Sequence, residues 1–309
     1  MRVVESEAKS ILVASKLPDA DYVINPYTGC AFGCSYCYAT FMGRYVGETA
    51  EEWGQYVYVK TNAVILAREE IPKLQRTHGS ATLLLSSVTD PYQGVESKYR
   101  LTRGVLGALV DASWAGRVSI LTKSPLVTRD IDLFRSLTRA EVGLTVTSTD
   151  DRVSKWLEVR APKASARIAA LAELRDAGVP VYAFVGPLLP HFRQSRSELD
   201  ELFEAISSAG VREVYVEHMN LKPYIRERLE PRLAGEPQSI RDSFAVARQR
   251  EMHHEVDELV NQLLSKHNLH LRLGEVLDHQ SGVAAAAVHR APAGLRSDSV
   301  AEPQTPRPN

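Results

Sequence analysis

Every cysteine of the 309-residue chain falls in one short stretch, Cys30-Ala31-Phe32-Gly33-Cys34-Ser35-Tyr36-Cys37, with the spacing C-x3-C-x2-C. Three thiols grouped in this way act together. Thiolates are soft ligands that suit zinc, copper(I) and iron–sulfur clusters. Zinc asks for a closed set of four ligands, and no fourth is in sight: the nearest histidine, His78, is far outside the loop, and there is no second C-x2-C pair. A cubane cluster has four irons, so three thiolates leave one iron free to take a substrate or cofactor. Spacing favours the open [4Fe–4S] cluster and leaves zinc, or no metal, as alternatives. An odd cysteine count without a secretory signal argues against a disulfide framework.

Other side chains that could do chemistry collect at particular places in the pattern. From residue 21 onward, short β-like runs alternate with helical segments. Residues 21–25 read as the first strand, with the cysteine loop directly after it. Residues 82–87, 118–123, 142–148, 181–185 and 213–217 read as further strands; 82–87 has the continuous apolar centre of a buried parallel strand. Segments 62–74 (Asn62 as N-cap), 102–113, 128–137, 151–159, 165–177 and 197–209 read as helices, the last two ended by Gly178 and Gly210. Segment 55–60 reads as an extra edge piece. About six βα units in succession imply an α/β fold, a partial (β/α)6 TIM-type barrel of parallel strands with right-handed crossovers, over residues 21–225. Residues 1–20 show no clear pattern and read as an N-terminal extension. A long helix over 243–267 and a short strand over 270–273 belong to a C-terminal helical extension, 226–280. Residues 281–309 have hardly a bulky apolar side chain and read as a disordered tail.

In parallel α/β barrels the active site lies at the carboxyl ends of the strands. Those ends carry Ser86, Ser87, Thr89 and Asp90; Thr122 and Lys123; Thr145, Thr147 and Ser148; and Glu217 and His218. Thr145 and Thr147 share one face of their strand and Leu144 and Val146 the other, which turns the threonines inward if the apolar pair meets the helices. Lys123 ends an otherwise apolar strand and needs an anion to offset its desolvation, unless it snorkels to the rim or pairs with Asp90. Glu217 and His218 suit acid–base work or a plain rim hydrogen bond. His253 and His254 point about 100° apart on a helix and read as surface residues. The mixed-sign runs Arg226-Glu227-Arg228 and Arg248-Gln249-Arg250-Glu251 read as solvated helix faces.

The cysteine spacing, with an aromatic before the last cysteine, resembles the signature of the radical S-adenosylmethionine (SAM) superfamily. The motifs that follow resemble its spore photoproduct lyase-like branch: Asn25-Pro26-Tyr27-x-Gly29-Cys30, Ser87-x-Thr89-Asp90-Pro91-Tyr92, Thr122-Lys123-Ser124, Leu157-Glu158-x-Arg160-Ala161-Pro162, and Arg167 ahead of Ala177-Gly178. The resemblance implies that Cys30, Cys34 and Cys37 hold a [4Fe–4S] cluster whose free iron chelates SAM. It implies that an electron from a flavodoxin- or ferredoxin-like donor cleaves SAM to methionine and a 5′-deoxyadenosyl radical. By the same resemblance Lys123, with Thr89 and Thr145, holds the SAM carboxylate, Tyr36 lies beside the adenine, and Gly186 offers backbone to it. The plainer readings are a packing aromatic at Tyr36 and a simple turn at Gly186-Pro187. Arg160 and Arg167 would bind an anion, or pair with Glu158 or Glu173. In the namesake lyase the strand after the second crossover ends in a cysteine that returns hydrogen to the product radical. Here Val88 or a neighbour takes that place, and Tyr92 or Tyr99 would have to substitute.

Thirty-seven basic and 38 acidic residues nearly cancel, for a net charge of −1, which lends nucleic-acid binding no support without excluding a local patch. No apolar run approaches the ~20 residues that span a bilayer, and the charged N-terminus is unlike a signal peptide. The expectation is a soluble cytoplasmic enzyme, without a membrane partner, acting on a small molecule or peptide. A DNA photoproduct lyase and a non-catalytic iron–sulfur redox sensor or binding module remain as alternatives.

Overall fold

The computed structural model describes residues 1–247 and 250–278. The chain opens with β1 (Arg2–Ser6) and β2 (Leu12–Ala14), then β3 (Tyr22–Ile24), β4 (Tyr27–Thr28), the cysteine loop, a 3-10 segment (Tyr38–Tyr45), β5 (Tyr56–Lys60) and α1 (Ala63–His78). The repeating units continue through β6 (Leu83–Leu85), α2 (Glu96–Tyr99), α3 (Leu101–Asp111), β7 (Val118–Thr122), α4 (Ile131–Ser136), β8 (Ala140–Thr145), α5 (Asp151–Glu158), α6 (Ala164–Asp176), β9 (Val181–Leu188), α7 (Arg196–Ser208) and β10 (Glu213–His218). Then come α8 (Pro223–Leu233), α9 (Gln238–Val246), α10 (Arg250–Lys266) and β11 (His270–Leu271).

Strands β3, β6, β7, β8, β9 and β10 lie side by side, each parallel to the next. Antiparallel β2 covers the β3 edge and parallel β11 covers the β10 edge. The order is linear, so the α/β sheet forms a partial TIM-type barrel and no closed ring. The strands read as apolar runs because both faces are covered: Val118, Ser119, Ile120 and Thr122 of β7 are all buried, as are Val142, Gly143, Leu144 and Thr145 of β8. The helices present one apolar stripe each. In α1 the buried residues are Ala63, Ala67, Ile71 and Leu74, spaced at three and four as a packed helix face requires. No helix among the described residues is long and apolar enough to cross a membrane.

Several expectations need correction. Residues 1–20 are not patternless in space: β1 pairs with β5 and, with β4, makes a small second sheet beside the cysteine loop, while β2 seals the main sheet. Such edge strands are too short and too exposed to show a period. Asn62 precedes α1 but does not cap it; its side-chain amide exchanges hydrogen bonds with the backbone of Ala8 instead. The long helix of 243–267 is two helices, α9 and α10. Phe244 in α9 turns its ring edge-on to Trp156, whereas α10 buries Val256, Val260, Leu263 and Leu264 and packs on α7. Residues 281–309, with their expected disorder, lie outside the described residues.

Candidate functional site

The cysteine loop leaves the carboxyl end of β3 and is held almost entirely by distant residues. Gly29 opens it with φ +85°, and a Cβ there would lie 2.6 Å from the Tyr56 ring and carbonyl, so only glycine fits. The Gly29 carbonyl accepts from the Thr89 hydroxyl and, at 3.2 Å, from the Gln93 amide. Gln93 is fully buried and also accepts from the Ala31 N–H at 2.7 Å. Arg160 donates to the carbonyls of Ala31 (2.8 Å) and Gly54, its N–H to that of Phe32. The Ser35 N–H and hydroxyl both reach the Leu157 carbonyl. Arg228, from α8, donates to the Cys34 carbonyl at 3.1 Å. A loop stripped of sheet pairing must find such partners for its polar backbone. Cys30 and Cys34 are buried and Cys37 is half-buried, all three as free thiols.

Lys123, at the end of β7, is brought to the same place. Its ammonium lies 5.7 Å from the Tyr36 ring centre and 3.9 Å from Glu158 Oε1, and its side chain is 16 % exposed. Its N–H donates to Asp90, which also takes the Thr122 hydroxyl at 2.6 Å and the Tyr92 N–H. Asp90 therefore fixes the β7 end through backbone and hydroxyl; the Lys123 ammonium is not among its hydrogen bonds. Glu158 and Arg167 are both fully buried and form an ion pair. Glu158 additionally accepts from the hydroxyls of Tyr36, Ser154 (3.1 Å) and Thr147 (3.4 Å). Arg167 donates to the carbonyls of Thr145 (3.1 Å) and Pro162. The anion-binding alternative for Arg160 and Arg167 thus gives way to structural partners for both.

Burial is the leading influence on the thiols. It pushes Cys30 well up, assisted by the charge of Asp90, and raises Cys34 to about 12, with Lys123 opposing and Glu158 assisting. Cys37 is raised by burial and eased back by the Ala39 N–H, Lys123 and Arg228. Burial also pushes Glu158 up, but Arg167 and Lys123 outweigh it and hold the carboxyl below its ordinary range. Thiols so placed stay protonated until a metal takes the proton's place.

The remaining sequence expectations divide. Thr145 is buried at the end of β8 and Thr89 lies beside the loop. Gly186 lies in β9, where a Cβ would lie 2.1 Å from the Phe184 ring; packing alone accounts for a glycine. Val88 packs against the apolar cluster around Cys30, Phe32 and Cys34, so an apolar side chain stands next to the loop. Both proposed tyrosine substitutes have their hydroxyls engaged elsewhere: that of Tyr92 is buried on Asp130 and that of Tyr99 bonds Glu5. His218 bonds Asp257 at 2.8 Å, a rim hydrogen bond. His253 is not a surface residue; it is 9 % exposed, stacks on His218 at 4.0 Å and bonds Ala247 and Asp278. Arg228 is likewise no solvated residue. It follows Ile225 by three on α8 and precedes Leu229, both buried, which is the signal that places it on the inner face.

The sequence model of the radical SAM superfamily matches residues 24–206, more than half of the chain. The chain belongs to the radical SAM superfamily. It is a radical SAM enzyme, and its family's cofactors are a [4Fe–4S] cluster and SAM; the redox-sensor alternative is set aside. Radical SAM enzymes need a reductant. An uncharacterized protein of Methanocaldococcus jannaschii is 36 % identical over 190 residues, 62 % of this chain and 69 % of that protein. One of Mycobacterium tuberculosis is 32 % identical over 219 residues, 67 % of this chain and 63 % of that protein. Among solved structures, spore photoproduct lyase complexed with dinucleoside spore photoproduct is similar with a TM-score of 0.66 at 16 % identity, over 87 % of this chain and 81 % of the lyase. Streptococcus suis SuiB bound to precursor peptide SuiA is similar with a TM-score of 0.51 at 13 % identity, over 81 % of this chain and 47 % of SuiB. At such identities the likeness is one of fold.

Proposed function

We propose that Cys30, Cys34 and Cys37 bind the [4Fe–4S] cluster, and that Lys123 receives the SAM carboxylate, flanked by Thr89 and Thr145 on neighbouring strand ends. Tyr36 and the Gly186 backbone take the adenine side. The donor set fits the cluster: three thiols and no other ligand type share one loop, and the cations Lys123 and Arg228 both act on Cys37. When bound, the cluster and SAM supply a 5′-deoxyadenosyl radical that abstracts hydrogen. The chain's part is to hold the loop, orient the carboxylate and exclude water. The observation that carries the reading is Lys123, delivered by β7 to the ring of Tyr36 within the cysteine loop.

A small molecule or peptide is the proposed substrate class. All three thiols are committed to the loop, and Val88 offers no S–H to a product radical. Near-neutral net charge lends DNA binding no support. Anaerobically reconstituted protein should hold about four irons and four sulfides per chain, release 5′-deoxyadenosine with dithionite, and lose its iron when any of the three cysteines becomes Ala. Stoichiometric zinc in place of iron would overturn the cluster assignment. Clean repair of a dinucleotide photoproduct at turnover rates would overturn the substrate class.

A further inference from the structure

Two polar side chains around the cysteine loop have unfinished business. Arg228 reaches back from α8 to the Cys34 carbonyl with Nη2, but its Nη1 is buried and, among the described residues, has no hydrogen-bond partner. Trp53, 4 % exposed, has a buried Nε1–H that likewise has no hydrogen-bond partner among the described residues. It packs in the same apolar cluster as Cys30 and Cys34, with Cys37 against it. Buried donors are normally satisfied, and a guanidinium without an acceptor is costly. Both stand at the sulfur-bearing loop: Arg228 is anchored on the Cys34 backbone, and Trp53 packs with Cys30 and Cys34.

We propose that Arg228 and Trp53 are positioning residues that set the reduction potential of the cluster, an inference that rests on the cysteine assignment above. A cubane held by three thiolates is anionic and becomes more so when reduced. A buried cation and a buried N–H beside the loop therefore favour the reduced form, and hydrogen bonds and net charge near the sulfurs are recognised levers on such potentials. Because Arg228 lies on α8, the segment after the sixth strand has a role in electron uptake as well as in covering the barrel. The Cys34 contact gives that control a geometric anchor, since moving α8 moves the charge.

The test is a redox titration of reconstituted protein, read by electron paramagnetic resonance of the reduced cluster without SAM. Arg228→Gln should make reduction about tenfold less favourable, equivalent to ~59 mV more negative for a one-electron couple. Trp53→Phe should shift it the same way by less, and Arg228→Lys should stay close to wild type. An unchanged midpoint in Arg228→Gln with a full cluster would overturn the proposal. If Arg228→Gln fails to assemble, Arg228→Lys decides: a wild-type midpoint supports the charge, whereas loss of cluster or a shift despite the retained charge shows a packing role and refutes it. A wild-type protein that takes up no [4Fe–4S] cluster would instead refute the cysteine assignment, so the two failures are distinguishable.

Discussion

Replacing Arg167 by Leu tests the frame under the candidate site. Arg167 and Glu158 are both fully buried, and removing one partner of a buried pair costs about 3–5 kcal/mol, because the other charge is left uncompensated. Two corrections oppose each other. The carbonyls of Thr145 and Pro162 lose a donor, which adds to the cost. Lys123, 3.9 Å from Glu158, offsets part of the uncompensated charge. The bracket of about 3–5 kcal/mol stands, a large share of the ~5–15 kcal/mol that keeps a domain folded. Urea unfolding of the metal-free protein at several pH values is the assay. In the wild type, Glu158 is held below its unfolded value of about 4.3. Its stabilisation is therefore complete above that value and is lost as pH falls through the folded one. In the variant, burial wins and the folded value rises above the unfolded one, so the sign reverses and acidification from pH 8 to pH 5 restores stability. The gap between variant and wild type should narrow toward pH 5. A loss below about 1 kcal/mol, or a gap independent of pH, would refute this account of the buried pair.

Lys123→Ala should keep the cluster and weaken SAM binding on the order of 10- to 150-fold, the worth of a charge-assisted contact of about 1.5–3 kcal/mol; equilibrium binding under anaerobic conditions measures this, and unchanged affinity would remove Lys123 from the site. Gly29→Ala should disturb the loop from its first residue, because the backbone has φ +85° and the new Cβ would meet Tyr56 at 2.6 Å; iron content after reconstitution should fall while the far-ultraviolet circular dichroism stays close to wild type, and full iron loading would contradict the close approach.

The six parallel strands can be read from the chain because each is an apolar run closed by polar residues, and burial on both faces makes that signal strong. The cysteine loop is legible for a different reason: thiol chemistry depends on spacing along a few residues. Features that depend on contacts between distant segments are not legible. Gln93 looks like any loop glutamine, yet its amide bonds both Gly29 and Ala31. Arg228 sits in a mixed-sign run; its spacing from Ile225 and Leu229 marks the inner face of α8, but its partner, the Cys34 carbonyl, comes only from the fold. His253 reads as exposed until the fold brings its ring onto that of His218. Residues 1–20 carry strands that only pairing with β3 and β5 defines.

The buried pair also explains why Lys123 is available for a ligand. Glu158 is already supplied by Arg167 and by the hydroxyls of Tyr36, Ser154 and Thr147, and Lys123 stands 3.9 Å off, beyond hydrogen-bond length. The carboxylate steadies the ammonium without capturing it. On the proposed assignment, a SAM carboxylate arriving at Lys123 would therefore displace little, and the cost of ordering the lysine is met before the ligand binds. The same arrangement joins the loop to the fourth strand's crossover: Tyr36 reaches Glu158, and Ser35 reaches Leu157 one residue earlier. A shift of α5 would move the cysteine loop and the Tyr36 ring together, with Glu158 beside Lys123, so their mutual geometry rests on one buried network and not on independent loops.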